Sequence, residues 1–114
     1  MLNNREKGLL LGIIKHCEKI NEKMVNLTRE EFDINEDILQ IICFNIMQIG
    51  ELAKNFDNTF INKYSDVPWR QIKGMRDKVA HGYGTIDKER VWNTALYDIN
   101  PLLNYCNKIL KDNK

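Results

Sequence analysis

Between Ile38 and Ile49 the chain carries only three polar residues, Gln40, Asn45 and Gln48. The isoleucines of this run also suit a strand. The length of the stretch, from about Glu36 to Lys54, and the helical patterns around it favour a helix instead. A helix that is apolar nearly all round must be covered on most sides. The rest of the chain therefore has to wrap this segment, and in a chain of 114 residues a second subunit is a natural further cover.

Three other helices are predicted around it. The first runs from about Asn3 to Met24, with Leu9 or Leu10, Ile13, Cys17, Ile20 and Met24 recurring every three or four residues. A turn is expected from Thr28 to Asn35, where Asn35 or Asp33 caps the central helix. Asn55 to Asp66 is the longest connection, with Phe56, Phe60 and Tyr64 spaced for one short helical turn against the bundle. The third helix begins near Val67-Pro68 and places Trp69, Ile72, Arg76 and Val79 on one face. Gly82 and Gly84 favour a break. The fourth helix, capped by Thr85 or Asp87, then runs to about Lys111 along Val91, Ala95, Ile99, Leu102, Cys106 and Ile109. Pro101 lies inside it and predicts a kink near Tyr97 to Asn100. The expected fold is all-α, an up-and-down bundle of four main helices with a kinked last helix, in a single domain over residues 1–114.

Cys17, Cys43 and Cys106 are far apart, odd in number and each within an apolar helical pattern. They read as buried reduced thiols of a cytoplasmic protein. His16 and Cys17 are adjacent, and adjacent helical residues point apart, so no metal site is expected. The apolar run Leu9 to Ile14 is too short for a signal core or a membrane span. The net charge of +1 makes no global electrostatic case for nucleic acid. Residues 70–90, however, set Arg70, Lys73, Arg76, Lys78, Lys88 and Arg90 against Asp77, Asp87 and Glu89. A solvated helix face explains such a run by itself; beside a phosphate-handling site it becomes a binding surface.

The chemistry concentrates in Arg76-Asp77-Lys78-Val79-Ala80-His81-Gly82-Tyr83. A guanidinium on an otherwise apolar face requires a partner or a ligand. His81, five residues on, lies about 140° away on an ideal helix, so the two converge only if the helix ends near Ala80. Each residue has a plain structural use: Arg76 as a solvated charge, His81 as a C-terminal cap, Tyr83 as a core lid. The combination Arg-x4-His-x-Tyr is harder to explain that way.

With its flanks, this combination resembles the HepT-like toxins of the HEPN superfamily. The resemblance is carried by Val67-Pro68-Trp69-Arg70, Gly74-Met75-Arg76-Asp77 and His81-Gly82-Tyr83-Gly84-Thr85-Ile86-Asp87, with Val91-Trp92 downstream and Ile49-Gly50-Glu51 upstream. It implies an endoribonuclease that needs no metal or other cofactor, with Arg76, His81 and Tyr83 catalytic. Imidazole exchanges a proton near neutral pH, a guanidinium matches phosphate oxygens, and a phenol donates a hydrogen bond or stacks on a base. Asp77 and Glu51 are expected in support, and Arg70, Lys73 and Lys78 on RNA phosphates. The resemblance further implies a homodimer with a shared cleft, no membrane association, and a small nucleotidyltransferase of the MNT type as antitoxin, which adds AMP to Tyr83. The alternative is a weakly catalytic or non-catalytic nucleotide-binding protein that serves as AMP acceptor.

Overall fold

A computed structural model of the chain describes residues 1–81 and 84–113. Helix α1 (Asn4–Met24) opens on a capping box, in which the Asn3 side chain accepts from the Glu6 N–H and Glu6 accepts from the Asn3 N–H. Its inner stripe is Leu10, Ile13, Ile14, Cys17 and Ile20. Helix α3 (Glu36–Ala53) is the hub, packed on α1 and on the segments that carry the motif. It runs antiparallel to α1: Leu52 lies against Gly12, while Asn45 meets His16. Asn35 caps it, accepting from the Ile38 N–H at 3.0 Å.

The expected turn from Thr28 to Asn35 is instead a short helix, α2 (Arg29–Ile34). Thr28 and Glu31 form a second capping box there, a start signal that the turn reading overlooked. The helix buries Phe32 against Trp92, ring centroids 4.9 Å apart. Helix α4 (Asn58–Lys63) is the predicted short turn, and it stacks Phe60 on Phe56 beside Trp69.

The third helix is in two pieces, α5 (Trp69–Lys73) and α6 (Met75–Val79), divided at Gly74. The break resets the helical phase. Met75 and Val79 turn inward with Trp69 and Ile72, and Arg76 turns outward. This corrects the expected face, which held Arg76. A phase that buries a thioether in place of a guanidinium avoids a desolvated charge.

Beyond Val79 the backbone is extended, and Ala80 pairs with Ile86 in an antiparallel bridge. Two hydrogen bonds of 2.8 Å flank it, His81 N–H to Thr85 O and Asp87 N–H to Val79 O. Asp87 caps α7 (Lys88–Asn93), which continues as a π-helical turn (Thr94–Asp98) into α8 (Ile99–Asp112). Pro101 lacks an N–H, and its ring crowds the carbonyl one turn back; the disturbance is expected at Tyr97 to Asn100, and the chain has a wider π turn at Thr94–Asp98, which overlaps that stretch at Tyr97 and Asp98. Together these segments are the fourth main helix. Val91, Ala95, Ile99, Leu102, Cys106 and Ile109 are all buried on its inner face. The architecture is the expected all-α bundle, with the three thiols free and buried. No described helix is long and apolar enough to cross a membrane.

Candidate active site

The site begins with a close helix contact. A side chain at Gly50 would place its Cβ 3.2 Å from the Arg76 backbone nitrogen, so a larger residue would push α3 and the α5–α6 junction apart by a few tenths of an ångström. The next residue, Glu51, comes to the guanidinium: its Oε1 is 3.8 Å from Arg76 Nε. Asp77 Oδ1 accepts from the other side at 3.3 Å. Glu51 also pairs with Lys54 at 3.4 Å. Both supporting carboxylates thus converge on Arg76, whose side chain stays 47% exposed. Exposed pairs of this kind contribute little stability, about 0–1 kcal/mol each.

His81 lies beyond the end of α6, and the extended backbone at Ala80 carries it there. Its carboxylate neighbour is Asp87, with Nε2 3.8 Å from Oδ2. The same oxygen lies 3.4 Å from Arg90 Nε. The imidazole is 54% exposed and Asp87 29%, so the ring faces solvent over a better-held carboxylate. Arg76 thus lies within α6 and His81 two residues beyond its end, each backed by its own acid. Tyr83, named as catalytic residue and modification site, lies outside the described residues.

The three basic residues assigned to RNA phosphates separate. Lys78 turns toward the fourth helix, where its Nζ lies 3.3 Å from Asp98 Oδ2. Arg70 is exposed on α5 and Lys73 half-buried at its end. Neither shares a hydrogen bond or ion pair with a motif residue among the described residues. A cleft of about 430 Å³ runs past Asp87, lined by Lys78, Glu89, Arg90 and Asn93. Sequence reasoning read Asp87 only as a helix cap. The available signal was its place six residues after His81, across two glycines able to reverse the chain. His16 is spoken for elsewhere, its Nδ1 2.7 Å from Asn45 Oδ1.

Comparison with known proteins places this geometry in a family. Residues 13–109 match the family model described as "Ribonuclease HepT-like". "Putative RNase TTE0752" of Caldanaerobacter subterraneus subsp. tengcongensis is 32% identical, the match covering 90% of this chain and 91% of that protein. "Putative RNase MJ1216" of Methanocaldococcus jannaschii is 33% identical over 93% of this chain and 88% of its own. "Probable ribonuclease HepT" of Thermococcus cleftensis is 29% identical, covering 96% of this chain and 100% of that protein. No solved structure matches. The matched span takes in α3 with Gly50 and Glu51, the α5–α6 break, and the hairpin that carries His81, and on it the chain belongs to the HepT-like ribonuclease family of the HEPN superfamily.

Proposed function

We propose that the chain is a metal-independent endoribonuclease and the toxin of a toxin–antitoxin pair, working as one domain through Arg76, His81 and Tyr83. The observation that carries this reading is that each group has its own acid: a half-exposed guanidinium between Glu51 and Asp77 within α6, and a half-exposed imidazole facing Asp87 two residues beyond the end of the same short helix. On this reading His81 takes the proton of a ribose 2′-hydroxyl. The 2′ oxygen attacks phosphorus, and the bond to the 5′ oxygen breaks. Arg76 binds the phosphate oxygens as charge develops on them. Tyr83 orients the phosphate or assists the leaving oxygen, which takes up a proton from water to end as a 5′-hydroxyl. Arg70, Lys73 and Lys78 hold flanking phosphates.

The homodimer belongs to the same proposal. Ile41 and Phe44 are 40% and 56% exposed on α3, at helical spacing from Gln48 and Glu51. This apolar stripe leads to the acid that holds Arg76, so burying it in a dimer brings the two sites toward one cleft. A nucleotidyltransferase antitoxin acts on Tyr83. AMP there adds negative charge where Arg76 receives phosphate, and so blocks entry.

RNA incubated with the purified protein in excess chelator tests the chemistry. It is expected to be cut, leaving 2′,3′-cyclic phosphate and 5′-hydroxyl ends. Activity lost to chelator and restored by magnesium defeats the mechanism. For the antitoxin, peptide mass spectrometry of the co-expressed pair is expected to find AMP on Tyr83. An unmodified toxin held silent by binding alone favours the rival reading, an interaction protein.

A further inference from the structure

We infer that Asp87 is the positioning residue for His81, its carboxylate opposite Nε2 holding the imidazole with Nδ1 turned to the substrate. The inference rests on the ribonucleolytic reading above. Its first support is backbone register. The Ala80–Ile86 bridge sets His81 across from Thr85, so Asp87, two residues on from Thr85, lies diagonally from His81 on the same side of the hairpin. Diagonal neighbours in an antiparallel pair are within reach of long side chains. The contact is thus built by main-chain hydrogen bonds and not by two flexible surface groups meeting.

The second support is how Asp87 divides its oxygens. Oδ1 accepts the Arg90 N–H at 3.2 Å and caps α7. Oδ2 faces His81 Nε2 at 3.8 Å and Arg90 Nε at 3.4 Å. The cap and Arg90 fix the carboxylate; the imidazole is the more exposed and less constrained member of the pair. At 3.8 Å the pair is longer than a hydrogen bond, and catalytic hydrogen bonds in substrate-free enzymes often are, tightening when substrate binds. An anionic acceptor at Nε2 keeps the proton on that nitrogen and leaves Nδ1 bare. Nδ1 then takes the 2′-hydroxyl proton, and the Asp87 carboxylate stabilises the imidazolium that forms.

The two roles of Asp87, cap and carboxylate, separate by substitution. Asp87→Asn keeps an equally good cap and removes the charge; Asp87→Glu keeps the charge and weakens the cap. The full-length variants are compared by cleavage of a defined RNA and by thermal melting. Asp87→Asn is expected to melt near the parent and lose tenfold or more in kcat, within the roughly 10²–10⁴-fold worth of an acid–base group, with KM changed less than about twofold. Asp87→Glu is expected to melt lower yet retain more kcat than Asp87→Asn. Asp87→Ser, also a strong cap, serves as a second charge-free variant. The opposite activity order, or parental kcat in Asp87→Asn and Asp87→Ser, overturns the inference. His81→Ala, run alongside, separates the two levels. If it cleaves normally, the catalytic reading of the site fails; if it is dead while Asp87→Asn is parental, only the role of Asp87 fails.

Discussion

Gly50 lies directly under Arg76: a Cβ there would meet the Arg76 backbone nitrogen at 3.2 Å and the Ile72 carbonyl oxygen at 3.3 Å. Both contacts are main chain, which cannot rotate aside. The absence of a side chain at one residue of α3 therefore sets how near Glu51 comes to the guanidinium.

Gly50→Val is accordingly expected to force α3 and the α5–α6 junction apart. Overpacking of this kind costs about 1–3 kcal/mol, and valine, being β-branched, returns less helix propensity than alanine would. Urea unfolding is expected to shift by that amount, and RNA cleavage to fall further than the loss of folded protein explains. Unchanged stability would mean that the close approach is dispensable.

Arg76→Ala and His81→Ala are expected to remove cleavage while leaving the bundle folded. Both side chains are about half exposed, and substitutions at such positions usually change stability by no more than about 0.5 kcal/mol. Loss of an acid–base group costs about 10²–10⁴-fold. Cleavage assays beside circular dichroism melts check the separation. Equal losses of activity and folded protein would make the residues structural.

Burial sets an alkaline limit on stability. It pushes the thiols of Cys17 and Cys106 up to about 12, and Cys106 adds to the shift at Cys17. In the unfolded chain a thiol ionises near pH ~8.5. The folded-state values are raised, so this contribution is complete below pH ~8.5 and is lost as pH climbs toward 12. Stability is expected to fall from about pH 9 upward, with a shallower slope in Cys17→Ala. Urea midpoints across that range decide it; parallel slopes would assign the alkaline loss to other groups.

Much of this fold is legible in the sequence because its main elements are long and strongly periodic. The inner faces of α1 and the fourth helix follow from spacing, whereas α3 reads as apolar nearly all round and its exposed side does not; Pro101 marks a disturbed stretch but not the π turn that forms just before it. The short pieces are where local signals compete. Thr28-x-x-Glu31 reads as polar loop until its reciprocal hydrogen bonds are seen. At Gly74 a single small phase reset exchanges Met75 for Arg76 on the inner face, and periodicity carried across the break points to the wrong residue. The candidate site divides likewise. Glu51 and Asp77 do reach Arg76, though from an outward-facing position and not from the apolar face that made a partner necessary, and the neighbour of His81 depends on hairpin register, which no helical pattern encodes.

The shared-cleft dimer has its own test in Phe44. This ring is 56% exposed on the outer side of α3, and Ile41, one turn before it, is 40% exposed. Burying one such side chain is worth about 1.5–3 kcal/mol, so a stripe of this kind on both subunits supplies association energy when the two stripes meet. Phe44→Glu places a charge in the middle of the stripe while leaving the buried face of α3 untouched. Sedimentation at micromolar concentration is expected to give the parent at twice its 13.5 kDa chain mass and Phe44→Glu at the chain mass itself. Because the stripe runs on to Glu51, the monomeric variant is also expected to cleave RNA poorly, though Arg76 and His81 remain in place. A parent that sediments as a monomer removes the dimer altogether. A monomeric Phe44→Glu with full cleavage keeps the dimer but assigns each active site to a single chain.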